Sequence, residues 1–282
     1  AAIDIHPETR SLSVKGTLMV RNRSEKAMDA IPISVADHLN VSAWTLDGAA
    51  IEPAAPWNGQ TRPSLENRSR LFLFRAAEPI APGATMTIGF ELEGSLPGGW
   101  SKRPGSASEF VLPSGVVLTS FTGSFLPVVG FAEGIGVDEK NSRETREFER
   151  DYWKGRVDPL FGPAWSTAVT FDVTGPADWT INSVGVPSDE RIDGNRKTVR
   201  WTSDQPVRFF NLVGGPLLER KGETTKVYYD ARHPGNVDRM VKTLDAARKY
   251  YAEWFHPYPW RDLKLTEFPG LATYAQGFPG NI

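Results

Sequence analysis

Cysteine is missing altogether from the 282 residues, which rules out a disulfide framework and any thiolate-bound metal. The compartment stays open, because a chain without cysteine suits cytosol and periplasm alike. Histidine is scarce: His6, His38, His233 and His256 are the whole supply, none has a second histidine four residues on, and no H-E-x-x-H occurs. The chain itself therefore carries no recognisable zinc site of that type. His233 and His256 each stand directly before a proline, where an ordinary surface role is the expectation. G-x-S-x-G is absent too, so no serine triad is supported. Carboxylates such as Glu8, Glu52 and Glu66 fall in turns or alternating strands with no partner set by spacing, and no catalytic residue can be named.

An excess of either charge is lacking as well. Thirty-two Lys and Arg face 34 Asp and Glu, a formal net charge of -2, and no segment gathers basic residues without interleaved acids. That argues against nucleic acid as a partner. No apolar run approaches the roughly 20 residues needed to span a bilayer, so no transmembrane segment is predicted. A signal-peptide pattern is not found, and Ala1-Ala2 running straight into a strand pattern predicts a stretch cut from a longer protein. Asn22-Arg23-Ser24, Asn40-Val41-Ser42 and Asn67-Arg68-Ser69 match the glycosylation sequon, a pattern that arises often by chance.

What is present is mostly β-pattern. Leu12, Val14, Gly16, Leu18 and Val20 share one face, with Ser13, Lys15, Thr17 and Met19 on the other. Leu39, Val41, Ala43 and Thr45 alternate with Asn40, Ser42, Trp44 and Leu46, and Asp47-Gly48 signals a turn. Arg70 to Phe74 and Met86 to Leu92 flank a turn over Pro79 to Gly83. Strands at this spacing predict a sandwich-like or open, curved antiparallel sheet. Gly98-Gly99 lacks the strand-to-helix context and the Lys-Ser/Thr of a phosphate loop and reads as a surface turn. Phe125 to Phe131 is an apolar, irregular segment expected to be buried, and mixed-sign Asp138 to Lys154 a solvated short helix or loop. Further strands are expected over 165–173, 179–184, 199–201, 207–213 and 225–229.

The last 56 residues change character. Asn236 is the expected N-cap of a helix in which Val237, Met240, Val241, Leu244, Ala247, Tyr251, Trp254 and Phe255 lay an apolar stripe along one side. His256-Pro257-Tyr258-Pro259-Trp260 must stop it, since proline lacks the amide proton and restricts its predecessor. Lys264 to Phe268 is a short strand closed by Pro269-Gly270. Strand, helix, turn and strand make the opening of an α/β unit. The predicted division is a β-rich domain over 1–222 and an incomplete βαβ start over 223–282.

Lys249-Tyr250-Tyr251-Ala252-Glu253-Trp254-Phe255-His256-Pro257-Tyr258-Pro259-Trp260-Arg261-Asp262-Leu263-Lys264-Leu265 resembles the segment of the aminopeptidase N family of zinc metallopeptidases that precedes its substrate-binding loop. Ala168 to Val173 with Asp178 to Gly185 resembles the last stretch of that family's N-terminal β-domain, and Phe125-Leu126-Pro127 the opening of its domain-linking segment. The resemblance implies a mainly β fold: a saddle-shaped, sandwich-like antiparallel β-domain that shapes and covers a substrate cleft, then the truncated start of a thermolysin-like α/β domain. It implies that the chain ends before H-E-x-x-H, so that zinc and peptide substrate belong to a full-length parent and this chain alone is inactive. In the family a G-x-M-E-N loop follows, whose glutamate grips the substrate α-amine. An ungapped count from Pro269 puts Tyr274, Ala275, Gln276, Gly277 and Phe278 on it, with Gly277 where the family has glutamate. The Ala275-Gln276-Gly277-Phe278-Pro279-Gly280-Asn281 form resembles a bacterial subset joined to membrane-transport segments, which implies an extracytoplasmic placement.

Two rival classes stay open at this point. Gly277 in place of a carboxylate suits a non-catalytic scaffold for protein–protein interaction. Nine tryptophans suit a carbohydrate-binding module, although those that can be placed sit in core-like positions.

Overall fold

The structure is a computed structural model, and it describes residues 1–57, 69–96, 109–120, 125–130, 166–269 and 275–282. The segments 97–108 and 131–165, which hold Gly98-Gly99 and Asp138 to Lys154, lie outside the described residues. The fold is mainly β, with antiparallel sheets and, among the described residues, one helix. The chain divides into two compact units, the first made of Ala1, Leu12–Pro97 and Ser120–Gly162 and the second of Ala2–Ser11, Gly98–Thr119 and Pro163–Ile282.

In the first unit, β2 (Ser11–Arg21), β8 (Thr85–Ser95), β4 (Leu39–Leu46) and β5 (Ala49–Ala50) neighbour one another in that order. A second sheet runs β11 (Val128–Val129), β3 (Met28–Ala36), β7 (Ser69–Ile80) and β6 (Ala54–Trp57). Alternation explains β2 directly: Leu12 and Val14 are buried, and Ser13, Lys15, Thr17 and Met19 face solvent. β4 departs from its expected faces. The register slips between Val41 and Ala43 against β8, and the two-for-one bulge turns Trp44 inward while Ala43 is exposed. Trp44 then packs against Phe72 and Phe74 of the second sheet at centroid distances of 5.3 and 4.9 Å. Those contacts hold the two sheets face to face. Of the run expected to be irregular and buried, Phe125, Leu126 and Pro127 are buried, whereas Val128, Val129 and Gly130 are half-buried, with Val128–Val129 paired as β11, and Phe131 lies outside the described residues. Asn22 is buried and its amide donates to the Lys26 and Ile80 carbonyls, which removes that sequon from glycan chemistry in the folded state; Asn67 lies outside the described residues.

In the second unit, β14 (Val186–Asp193), β15 (Arg196–Thr202), β12 (Thr170–Pro176) and β1 (Ala2–His6) form one sheet, with β1 parallel to β12. Another runs β13 (Thr180–Ser183), β16 (Asn211–Gly215), β10 (Gly115–Thr119) and β9 (Phe110–Leu112). Phe110, Leu112, Val117 and Val213 make a core cluster on it, with Phe268 packed against them. The third sheet is β17 (Leu217–Lys221), β18 (Thr225–Asp230) and β19 (Leu263–Thr266). β17 and β18 form a hairpin, and β18 and β19 run parallel with α1 (Val237–Trp254) between them in sequence. That is the predicted βαβ start.

Candidate functional site

Helix α1 begins at Asn236 as expected, but Asn236 takes a left-handed backbone (φ 67°) and makes no side-chain cap bond. Its apolar residues do not form the single buried stripe that their spacing predicts. Val237 and Val241 are buried against Val227, with Tyr229, Leu244 and Leu265 packed around them, whereas Met240, Tyr251, Trp254 and Phe255 stay exposed. Charged side chains fasten the helix instead. Asp245 accepts hydrogen bonds from the Glu223 and Thr224 amides and from the Thr224 and Thr225 hydroxyls, all at 2.9–3.0 Å, closing the β17–β18 turn. Burial raises its carboxyl, but those donors outweigh burial and hold it below the usual carboxylate range.

The helix stops where proline demands, and the His-Pro-Tyr-Pro-Trp turn is then tied down from several directions. The Arg248 guanidinium lies 4.8 Å over the Tyr258 ring and donates to the Trp260 and Arg261 carbonyls at 3.2 and 3.0 Å. Gln205 donates to the Pro259 carbonyl, and the Arg261 amide to Asp204. Burial pushes the Tyr258 phenol up, while the Gly280 amide, donating to it, acts the other way. The signature turn thus serves as a bracket for the end of the chain.

That end is the candidate site. The Phe278 amide donates to the Asn281 carbonyl at 2.6 Å and the Asn281 amide returns the bond at 3.0 Å, so residues 278–281 close a turn with Pro279 and Gly280 at its centre. Proline at the second position and glycine with φ +73° at the third are what a type II turn requires. A Cβ on Gly280 would also meet the Asp262 carbonyl at 2.9 Å. Beyond the turn the chain runs beside β19: Lys264 N–H donates to Gly280 O, Ile282 N–H to Lys264 O and Thr266 N–H to Ile282 O, at 3.0, 2.8 and 2.8 Å. Residues 280–282 therefore add a parallel edge segment to the third sheet.

Beneath this segment lies a buried polar cluster. Asn281 is fully buried; its Oδ1 accepts from Asn182 Nδ2 and Thr266 Oγ1, and its Nδ2 donates to Asn211 Oδ1 at 3.1 Å. Asn182 also donates to Thr266 at 2.8 Å. These bonds join the three amides to one another and give the tail one low-energy seat, although Asn182 Oδ1 is buried without a hydrogen-bond partner among the described residues. Lys264 is likewise fully buried, donates to the Gly185 carbonyl at 2.6 Å and lies 4.8 Å over the Trp201 ring. Burial pushes its ammonium down to about 8.

Of the five expected loop residues, Tyr274 lies outside the described residues. Ala275 and Gly277 are exposed, Gln276 is half-buried and Phe278 is buried as the first residue of the turn. No atom of the described residues lies within 4 Å of where a Gly277 Cβ would stand. Among those residues, a side chain there would meet open space. His233 contacts Glu267, whose other oxygen accepts from the Asp230 amide at 2.9 Å; both sit beyond the ends of β18 and β19. Among the described residues no group of three or more His, Asp or Glu side chains could hold a metal. The described side chains thus bring together no zinc-binding set.

No family model matches the sequence, and no curated protein sequence matches it. Solved structures do. An M1 zinc metallopeptidase from Deinococcus radiodurans overlays 94% of this chain with a TM-score of 0.62 at 17% identity, and the overlay covers 54% of that enzyme. A variant of that enzyme bound to a Tyr-Ser-Ala substrate gives 0.60 at 16%, again over 94% of this chain and 54% of the other. Native yeast LTA4 hydrolase gives 0.56 at 14% identity, over 94% of this chain and 36% of its own. The chain spans about half the length of the first of these neighbours, and over nearly all of its own length it has the fold they have there.

Proposed function

We propose that this chain is the N-terminal portion of a zinc metallopeptidase-like protein, in which residues 1–222 shape and cover a peptide-binding cleft and 223–282 begin the catalytic domain. The observation that supports it most is the overlay on metallopeptidases along 94% of the chain. Residues 274–278 form one wall of the cleft, held at one end by the Phe278–Asn281 turn, and Ala275 and Gly277 present exposed backbone to an extended peptide. The metal and the residues that activate water stand in the part of the parent that this chain does not span. A stretch joining the parent to membrane-transport segments belongs to the same proposal.

Zinc titration followed by calorimetry tests it. The 282-residue chain binds no stoichiometric zinc, whereas the longer polypeptide read from its gene binds one and releases amino acids from short peptides. A longer polypeptide that binds no zinc and cleaves no peptide refutes the enzyme reading. One observation favours a second reading, a non-catalytic peptidase-like scaffold: Gly277 supplies no carboxylate to the open space beside it, so the loop has nothing there to grip a free amine. An intact H-E-x-x-H in the longer gene sinks that reading.

A further inference from the structure

The third sheet keeps one charge away from water. Leu265 of β19 packs toward α1, so Lys264 and Thr266, on either side of it, point the other way, where Asn182, Gly185 and Trp201 meet them. The Lys264 side chain is fully buried, and the described residues give its ammonium one hydrogen-bond acceptor, the Gly185 carbonyl at 2.6 Å, and the Trp201 ring at 4.8 Å. Three N–H donors with one acceptor leave a buried ammonium short of partners. The charged groups around it are committed elsewhere. Lys226 stands beside it in register on β18 and bonds Asp262 at 2.8 Å, and Asp204, after β15, accepts from the Arg261 amide at 2.8 Å. Tyr228 and Glu219, farther along the same face, bond each other.

The remaining flank of Lys264 is the edge segment 280–282. Asn281 is the bridge partner of Lys264, and its Oδ1 accepts from Thr266 on the buried face, so the Asn281 side chain stands beside the lysine on that face. β18 is paired on both sides, by β17 and by β19, whereas 280–282 is bonded to β19 on one side, through the Lys264, Thr266 and Ile282 amides. An edge held from one side is the wall that opens at least cost.

We propose that residues 280–282 form a proton-coupled latch: lifting this edge segment from β19 opens Lys264 to water and lets it take up a proton, and loss of that proton holds the segment shut. The inference concerns groups of this chain alone and does not rest on the peptidase-like reading. Its consequence falls on the 278–281 turn, which ends the candidate wall. Burial, and to a lesser degree Lys226, disfavour the ammonium in the closed state and bring it from 10.5 down to about 8, with Asp262 and Asp204 acting the other way. Water restores it in the lifted state. The lifted state therefore binds more protons between those two values, and lifting becomes rarer as pH rises through about 8.

Amide hydrogen exchange followed by NMR on the 282-residue chain, at half-unit steps from pH 6.5 to 9 with intrinsic exchange rates divided out, is the test. Protection of the Lys264, Thr266 and Ile282 amides rises by roughly tenfold across that range, with its bend near pH 8. Urea too dilute to unfold the chain leaves these rates unaltered, because lifting so short a segment exposes little surface. In Lys264→Met the same amides give a flat profile. The titration of Lys264 in the folded chain, read from its side-chain nitrogen resonance, bends at the same pH and needs no variant. A flat profile in the unmodified chain overturns the proposal, as does a rise that survives in Lys264→Met or a side-chain midpoint that falls well away from the bend. A rise carried only by urea-sensitive exchange overturns it too, since Lys264 then acts on unfolding of the chain and not on the latch.

Discussion

Replacing Lys264 with methionine isolates the free energy of one buried charge. The ammonium is fully buried with the Gly185 carbonyl and the Trp201 ring as its partners, and burial brings it from 10.5 down to about 8. Asp262 and Asp204 pull the other way without restoring the ordinary value. Below about pH 8 the folded and unfolded chains both hold the proton, and the folded one carries the cost of the buried charge. Between about 8 and 10.5 the unfolded chain keeps its proton and the folded chain has lost it, so the unfolded state binds more protons and stability rises with pH. At about 1.4 kcal/mol per unit, the gap is worth roughly 3 kcal/mol. Tyr228 bounds the window from above: burial first, then Glu219, raise its phenol, so the folded chain holds that proton longer and stability falls above about pH 10. Urea unfolding followed by circular dichroism at half-unit steps from pH 7 to 10 is the assay. The parent chain gains stability by roughly 2–3 kcal/mol across that range, and Lys264→Met has a flat profile and is at least as stable at pH 7, as expected when a buried charge gives way to an apolar isostere. A parent profile that is flat or falling, or the same rise in the methionine variant, refutes the reasoning.

Three other perturbations probe the same region. Asn281→Ala leaves the buried amides of Asn182 and Asn211 short of partners and lowers stability by about 2–4 kcal/mol, read from urea midpoints, while faster amide exchange at Thr266 reports the loosened edge segment. Asp245→Asn turns an amide donor onto a ring of donors and costs on the order of 2 kcal/mol at pH 7. Because Asp245 is held below its ordinary value, its contribution is present above about pH 4 and fades as pH falls through the folded-state value, so the parent and variant profiles converge in acid; parallel profiles there refute the assignment. Gly277→Glu enters open space and leaves the unfolding midpoint within about 0.5 kcal/mol. On the proposed peptidase reading, the same change in the longer polypeptide shifts cleavage toward peptides with a free amino terminus, measured against their acetylated counterparts.

The β-character and the βαβ start were legible because both rest on periodicity. β2 alternates cleanly, and the Pro-Tyr-Pro turn can only end a helix. β14 was missed: apart from half-buried Val186 its residues are exposed, so a strand such as Pro187 to Asp193 shows no alternation to read. The faces of β4 were misassigned from Ala43 onward, since a bulge shifts the side-chain phase by one residue and leaves no mark in composition. The two faces of α1 merged into one expected stripe for a related reason. Spacing shows which residues share a side of a helix, and the sheet, three strands wide, reaches the first of those sides and not the second.

The polar seat of the tail was hidden by distance. Asn281 meets Asn182 across 99 residues and Asn211 across 70, and in a strand reading Leu263-Lys264-Leu265-Thr266 the lysine and threonine fall on the face that alternation assigns to solvent. The structure buries that face, and the consequence bears on the loop. An apolar seat would tolerate a slipped register, but Asn182 and Asn211 meet Asn281 at one register, and a slip by one residue would strip both of their bonds to it in the interior. Residues 280–282 are held in place by the same bonds that make the cluster costly to disturb. The segment Ala275 to Gly277 is thereby fixed from its downstream end by Phe278 and the type II turn, while no atom of the described residues stands close enough to constrain a side chain at Gly277. Anchor and candidate contact residue are separate in sequence by a single position. Chemistry at residue 277 can therefore change without unseating the turn that presents it.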